Sequence, residues 1–174
     1  MDVNLISYPI DIFTAHYRVS GAWTPRGNPA VFLNNESVQT LLIEDATVIP
    51  LRPGVELEPI LAPQLYLPKR DPQAIILGNI DMETIKPFPR REQLVCLTDL
   101  LIMKGYFHLP METKLQDVFT LMTPQQFLFV SSLQAASIYA EATGVRANAM
   151  MAFVNKHAVH GFYTPEPEDQ PGMS

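Results

Sequence analysis

Proline is concentrated in one part of the chain: eight of its sixteen prolines lie between residues 50 and 89. Each proline removes a backbone donor and fixes φ, so residues 50–72 cannot form a helix or a central strand. The same stretch is rich in leucine, isoleucine, valine and tyrosine, which a solvated linker would not be. We therefore interpret residues 52–72 as an apolar, proline-rich strap with edge-strand or polyproline character, lying across a hydrophobic surface.

The chain on either side of this strap has the same order of predicted elements. Residues 10–23 and 94–107 are both β-rich, and each run reaches a glycine that is followed two residues later by an aromatic residue: Gly21 and Trp23, Gly105 and Phe107. A turn with proline, one short helical turn and further strands follow in both halves. This order indicates an internal duplication in which each unit has one short helix.

The fold predicted from these patterns is mainly β, a β-rich α+β class. Two similar small barrel- or sandwich-like units would bury apolar faces and strand edges against each other. Each unit is expected to close with a strand, at residues 74–79 in the first and 151–156 in the second. Residues 133–143 have alanine-rich helix propensity within a predicted strand region, and we favour a strand that runs into a helical turn.

The unit boundaries follow from this order of elements. The first β-rich unit comprises residues 1–51 and 73–89, with the strap at 52–72 inserted into it, and the second comprises residues 90–164. The last ten residues, 165–174, contain three prolines and three acidic residues. That composition is typical of a disordered acidic tail.

Composition and charge argue against several classes of protein. A net charge of −6 disfavours binding to nucleic acid or to an anionic membrane surface. The single cysteine, Cys96, excludes a disulfide within the chain and a cysteine-rich zinc module. No apolar run approaches the ~18 residues that span a bilayer, and the N-terminus lacks the basic region of a secretory signal. We expect a cytoplasmic protein without membrane insertion.

The clearest motif lies in the second unit. Residues 114–119, Lys-Leu-Gln-Asp-Val-Phe, begin a series that continues at 127–133 and ends at 153–159. The series resembles a group of uncharacterised bacterial β-rich domains, in which a glycine-ended strand leads to a Leu-x-Asp turn, a strand and a closing Asn-Lys strand. The resemblance covers residues 94–162 and, more faintly, 10–86. It implies a β-rich architecture and no assigned activity.

Motifs with an established chemistry are absent from the sequence. It contains no glycine-rich phosphate loop, Cys-x-x-Cys, His-Glu-x-x-His or Gly-x-Ser-x-Gly. We therefore predict no catalytic residue, metal or cofactor. The alternative of an enzyme stays open through a His/Asp pair, for which His108 and Asp117 are the candidates.

The strap and its flanks are the predicted interaction surface. Two basic pairs border it, and its apolar residues would contact a protein partner. We predict a non-catalytic interaction or scaffold subunit that binds a protein partner, or a second copy in an oligomer, through β edges and the strap. The alternative is a small-ligand or signalling-molecule binding domain with its site between the two units. The candidate partner-binding residues are Leu65, Tyr66, Leu67, Lys69, Arg70, Arg90 and Arg91.

Overall fold

The computed structural model describes residues 5–51, 58–120, 125–139 and 145–167. Short helical segments separate the strands in these parts of the chain, including 3-10 turns at Leu115–Asp117 and Lys156–Ala158. The other elements are β1 (Tyr8–Phe13), β2 (Tyr17–Trp23), α1 (Pro29–Asn34), β3 (Thr40–Pro50), β4 (Ile60–Pro68), β5 (Ala74–Leu77), α2 (Met82–Ile85), β6 (Arg90–Leu97), β7 (Leu101–Leu109), β8 (Phe127–Ser137), β9 (Arg146–Asn155) and β10 (Gly161–Tyr163).

All ten of these strands belong to one antiparallel sheet, so the prediction of a mainly β fold is confirmed. Their order is β10-β6-β7-β8-β9-β5-β1-β2-β3-β4. The first half of the chain, β1 to β5, meets the second half, β6 to β10, where β5 pairs with β9. In this pairing Ala74 lies opposite Val154 and Ile76 lies opposite Ala152. The two predicted units therefore share one continuous sheet.

The halves repeat the order of elements: two strands, a short helical segment and three strands. In each half the register between the second and third strands shifts at an interior glycine, Gly21 in β2 and Gly105 in β7. The facing strand has an extra residue there, Asp45 or Ser132, with φ of 48° and 52°, which is the geometry of a β-bulge. The internal duplication stays a prediction, because a shared order of elements does not show that the two halves have a common origin.

The two segments predicted to close the units are neighbours in the sheet rather than equivalents. β5, within residues 74–79, pairs with the part of β9 that lies within 151–156. β5 flanks β1 as β10 flanks β6, so β10 holds the corresponding place in the second half. Both segments are short apolar runs of a deeply buried strand, and this common environment explains why their sequences look alike.

The strap contributes an edge strand to the sheet. β4 pairs with β3, and no strand pairs with its other side among the described residues. An edge strand tolerates the missing donors of Pro63 and Pro68. The side chains of Leu65 and Leu67 pack into the core of the first half. Residues 52–57 of the strap lie outside the described residues.

Two further predictions concern segments that the structure describes in part. The ambiguous segment at 133–143 is strand as far as Ser137, where β8 ends. Its remainder includes residues 140–143, which lie outside the described residues. The same holds for residues 168–174 of the predicted acidic tail, so its predicted disorder stays a prediction.

Two hydrophobic clusters lie on opposite faces of the central strands. On β8, Phe127 and Phe129 belong to the cluster of the first half, whereas Leu128 and Val130 belong to that of the second. Successive residues of a strand point to opposite faces, so this part of the sheet is buried on both sides. Phe13 of β1 does the reverse: it belongs to a strand of the first half but packs in the cluster of the second half. The aromatic side chains of β8 consequently face α1.

Candidate functional site

A cavity of about 500 Å³ lies between the two halves. Helix α1 forms one wall, and α2 with the following residues 86–88 forms another. The floor comes from the second half, from the end of β7 and from β8 and β9. Neither half would enclose this volume alone.

The floor of the cavity is aromatic and largely buried. Phe127 and Phe153 are 1% exposed and Phe129 is 7% exposed. The Phe129 and Phe153 rings meet edge to face with centroids 5.5 Å apart, and the His108 ring lies 5.1 Å from that of Phe129. Edge-to-face contacts fix the ring orientations, so the floor is formed before any ligand binds.

Both ring nitrogens of His108 are engaged. Nδ1 is 2.9 Å from the carbonyl oxygen of Phe88, and Nε2 is 2.8 Å from Oγ of Ser131. A carbonyl only accepts, so Nδ1 donates its hydrogen to Phe88, while the Ser131 hydroxyl, which can both donate and accept, pairs with Nε2. His108 thereby ties the segment that joins the halves to β7 and β8. The structure does not bring it into a hydrogen bond with Asp117, the partner predicted for a His/Asp pair.

Two asparagines hold the helices of the cavity in place. Asn28 caps α1 by accepting from the Ala30 N–H at 2.8 Å, and its Nδ2 donates to the Thr84 carbonyl of α2 at 2.5 Å. Asn34, at the end of α1, accepts from the Phe127 N–H at 2.8 Å and donates to the Phe127 carbonyl at 3.1 Å. These bonds fix α1 against both α2 and β8, and hence the width of the cavity.

The mouth of the cavity combines apolar surface with one positive charge. Val31 is 69% exposed and Phe88 37% exposed. Lys86 ends α2 in the left-handed conformation, with φ of 51°. Lys86 is the only lysine or arginine among the described lining residues, and none of those residues is acidic. A ligand with an apolar body and a single anionic group matches this distribution.

The residues predicted around the strap divide into buried and exposed groups. Leu67 is 1% and Lys69 4% exposed, and Leu65 is half-buried. These three side chains are part of the protein's own packing. Tyr66, 65% exposed, and Arg70, whose Nε is 3.5 Å from Oδ1 of Asp71, face solvent and are available to a partner.

The second basic pair lies on a different part of the sheet. Arg90 donates to Oε1 of Glu92 at 3.1 Å and to the Met111 carbonyl at 3.2 Å, so it supports the loop after β7. The Arg91 guanidinium lies 5.1 Å from the centre of the Tyr106 ring. β6 and β4 stand near opposite ends of the strand order, and the two basic pairs do not lie on neighbouring strands.

The cavity is not apparent in the sequence. Its floor residues look like ordinary strand residues, because the run Phe127–Val130 is apolar throughout. Such a run is typical of a strand buried on both faces. It is the feature of the sequence from which the position of β8 between two cores could have been predicted. The asparagines at both ends of α1 are a second signal, although capping alone would explain Asn28.

Comparison with known proteins identifies no relative. No family model, curated protein or solved structure matches the chain. The resemblance to a group of bacterial β-rich domains therefore stays a prediction. Across the part of the chain that the structure describes, no three His, Cys, Asp or Glu residues are grouped to hold a metal ion, and none of the helices has the length and apolar character needed to cross a membrane.

Proposed function

We propose that this protein binds a small molecule with an apolar body and one carboxylate in the cavity between its halves. The observation that carries the proposal is the preformed floor of Phe127, Phe129, Phe153 and His108 beneath a mouth with a single cation. The volume of about 500 Å³ falls within the ~300–1,000 Å³ that is usual for small-ligand sites. Aromatic carboxylates and medium-chain fatty acids have the matching chemistry.

Filling the cavity from α1 should abolish this binding. Ala30 is a half-buried lining residue, and in the Ala30→Phe variant the added ring would occupy the ligand's volume. For the unaltered protein, ligand at 100 times its Kd adds about 2.7 kcal/mol, which raises Tm by roughly 5–10 °C at this chain length. Differential scanning calorimetry with 3-phenylpropionate and octanoate measures the shift, and Ala30→Phe should show none.

The matched control is Ala136→Phe, which adds the same ring to a half-buried position on β8 outside the cavity. It should keep the full shift. The amides of the two probes test the contribution of Lys86, since they keep the apolar body and lose the charge. An unaltered protein that responds to none of the carboxylates, or an Ala30→Phe protein that still responds, would rule the proposal out.

A second candidate function is the binding of a protein partner through the edge strand β4. Ile60 is 59% exposed, Leu61 77% and Tyr66 65%, an unusual density of apolar side chains for a free edge. Edge strands with unpaired backbone groups accept an extended segment by strand addition. The occupant that fits is an extended apolar segment of another protein, with a second copy of this chain as the other outcome.

Charge placed on this edge should prevent such pairing. We expect the double variant Leu61→Lys with Tyr66→Lys to weaken association at least about tenfold, because added edge lysines oppose strand addition. Sedimentation velocity over a concentration series detects self-association, and affinity purification with each variant detects a partner. Ile102→Lys, at a residue 41% exposed on β7, is the control. Equal association by all three proteins would exclude β4 as the interface.

A further inference from the structure

The short helix α1 runs from one end of the cavity to the other. At its beginning the cap Asn28 donates to the Thr84 carbonyl of α2 at 2.5 Å. At its end Asn34 is bonded to the backbone N–H and carbonyl of Phe127 at 2.8 and 3.1 Å. A helix of six residues is ~9 Å long. α2 and the start of β8 therefore stand at opposite ends of α1, with the cavity between them.

One polar side chain lies beside each of these two contacts. Lys86 comes two residues after Thr84, where α2 ends, and Gln125 comes two residues before Phe127, where β8 begins. Both residues line the cavity. Lys86 is exposed at the mouth, whereas Gln125 is half-buried. The cavity consequently has a cationic end and a neutral polar end, separated by about the length of α1.

The protein uses the other polar side chains of the lining for its own structure. Asn34 holds α1 against β8, both ring nitrogens of His108 are engaged, and Oδ1 of exposed Asn35 accepts from a backbone N–H in the turn after α1. The side chains of Lys86 and Gln125 form no hydrogen bond or ion pair with any residue that the structure describes. These two side chains are therefore the ones open to polar groups of a ligand.

The surface between the two ends is apolar. Phe129 and Phe153 form its floor with their rings edge to face, and Ala30 and Val31 of α1 line the wall. A ligand ring can extend this aromatic arrangement by offset or edge-to-face contact. The amide of Gln125 offers one acceptor and two donors without a charge, so it suits a hydroxyl or amide group rather than a second carboxylate.

We infer that the cavity selects ligands with two polar ends, a carboxylate that pairs with Lys86 and a neutral hydroxyl or amide that pairs with Gln125, joined by an aromatic or other apolar body. This inference rests on the function proposed above and names the class of ligand more narrowly. Hydroxyarylalkanoic acids such as 3-(4-hydroxyphenyl)propionate belong to this class. Gln125 is then the residue that determines specificity at the far end.

The test compares three carboxylates by isothermal titration calorimetry at pH 7. They are 3-phenylpropionate, its 4-hydroxyl derivative, whose phenol is neutral at this pH, and its 4-methyl derivative, which matches the hydroxyl in size. We expect the hydroxyl compound to bind roughly three- to tenfold more tightly than the methyl compound, the effect of one neutral hydrogen bond. Gln125→Leu should remove this preference and leave the affinity for 3-phenylpropionate unchanged.

Two further variants complete the test. Gln134→Leu, at an exposed glutamine of β8 outside the cavity, is the matched control and should keep the preference. Lys86→Met should weaken all three ligands by the same factor, because distant contacts act independently.

The outcomes separate this inference from the function on which it rests. Binding of the hydroxyl and methyl compounds with equal affinity by the unaltered protein would overturn the inference and leave the proposed function standing, and this comparison needs no variant to fold. A preference that survives Gln125→Leu, or that disappears in Lys86→Met instead, would also overturn it, since the hydroxyl would then lie elsewhere. Binding of none of the three carboxylates would overturn both.

Discussion

Asn155→Ala is expected to lower the free energy of unfolding by about 3–5 kcal/mol, since it leaves several buried groups without partners. Asn155 is fully buried. Its Nδ2 donates to the carbonyls of Pro72 at 2.9 Å and Arg70 at 3.2 Å, and its Oδ1 accepts from the His157 N–H at 3.1 Å. Because Pro72 and Arg70 belong to the first half, the loss also loosens its junction with β9.

Urea unfolding followed by circular dichroism measures the change as a lower midpoint. Asn148→Ala is the matched control, since Asn148 is exposed on the same strand, and it should alter stability by no more than about 0.5 kcal/mol. A loss below about 1 kcal/mol for Asn155→Ala, less than one unsatisfied buried group costs, would show that the carbonyls find other partners and that this contact does not hold the halves together.

Gly105→Ala is expected to cost about 2–3 kcal/mol, the upper range for overpacking a buried site. A Cβ at this position would lie 2.5 Å from Cγ1 of Val130 and 3.3 Å from the carbonyl oxygen of Ser131. Val130 is fully buried, and the restricted χ1 of its branched side chain limits how far it can move away. The bulge in β8 also fixes the backbone behind it, so the strands must move apart.

A double-mutant cycle with Val130→Ala isolates this clash. In the Val130→Ala background the added methyl group has room, so Gly105→Ala should cost at least about 1 kcal/mol less there, well above the additivity error. Gly161→Ala is the matched glycine control, because its Cβ would be 3.9 Å from the nearest atom and should be nearly neutral. Additive effects of the two substitutions at 105 and 130 would contradict the steric explanation.

Local features of the fold could be predicted because neighbouring residues determine them. Alternating and continuous apolar runs indicate the strands, and the pair Glu44-Asp45 marks the bulge in β3, where Asp45 has a positive φ. The prolines of the strap favour an edge strand, the place that β4 occupies. Each of these patterns acts within about ten residues of the chain.

The arrangement of the strands could not be predicted in the same way. The pairing of Ile75 with Phe153 depends on which apolar faces meet across the sheet, and many pairs of runs would satisfy the pattern. For the same reason the sequence placed Lys69 on the surface as half of a basic pair. Lys69 is instead buried, and its Nζ donates to the Asn35 carbonyl, a group that lies 34 residues away along the chain and reaches it only in the folded protein.

The crossing of aromatic side chains between the two clusters has a consequence for how the chain loses its structure. Phe127, Phe129 and Phe153 stabilise the first half from strands of the second, and Phe13 does the reverse. Melting either half exposes the apolar face on which the other rests. We therefore expect the described strands to unfold as one cooperative unit, so that a ligand bound in the cavity would stabilise every one of these strands at once.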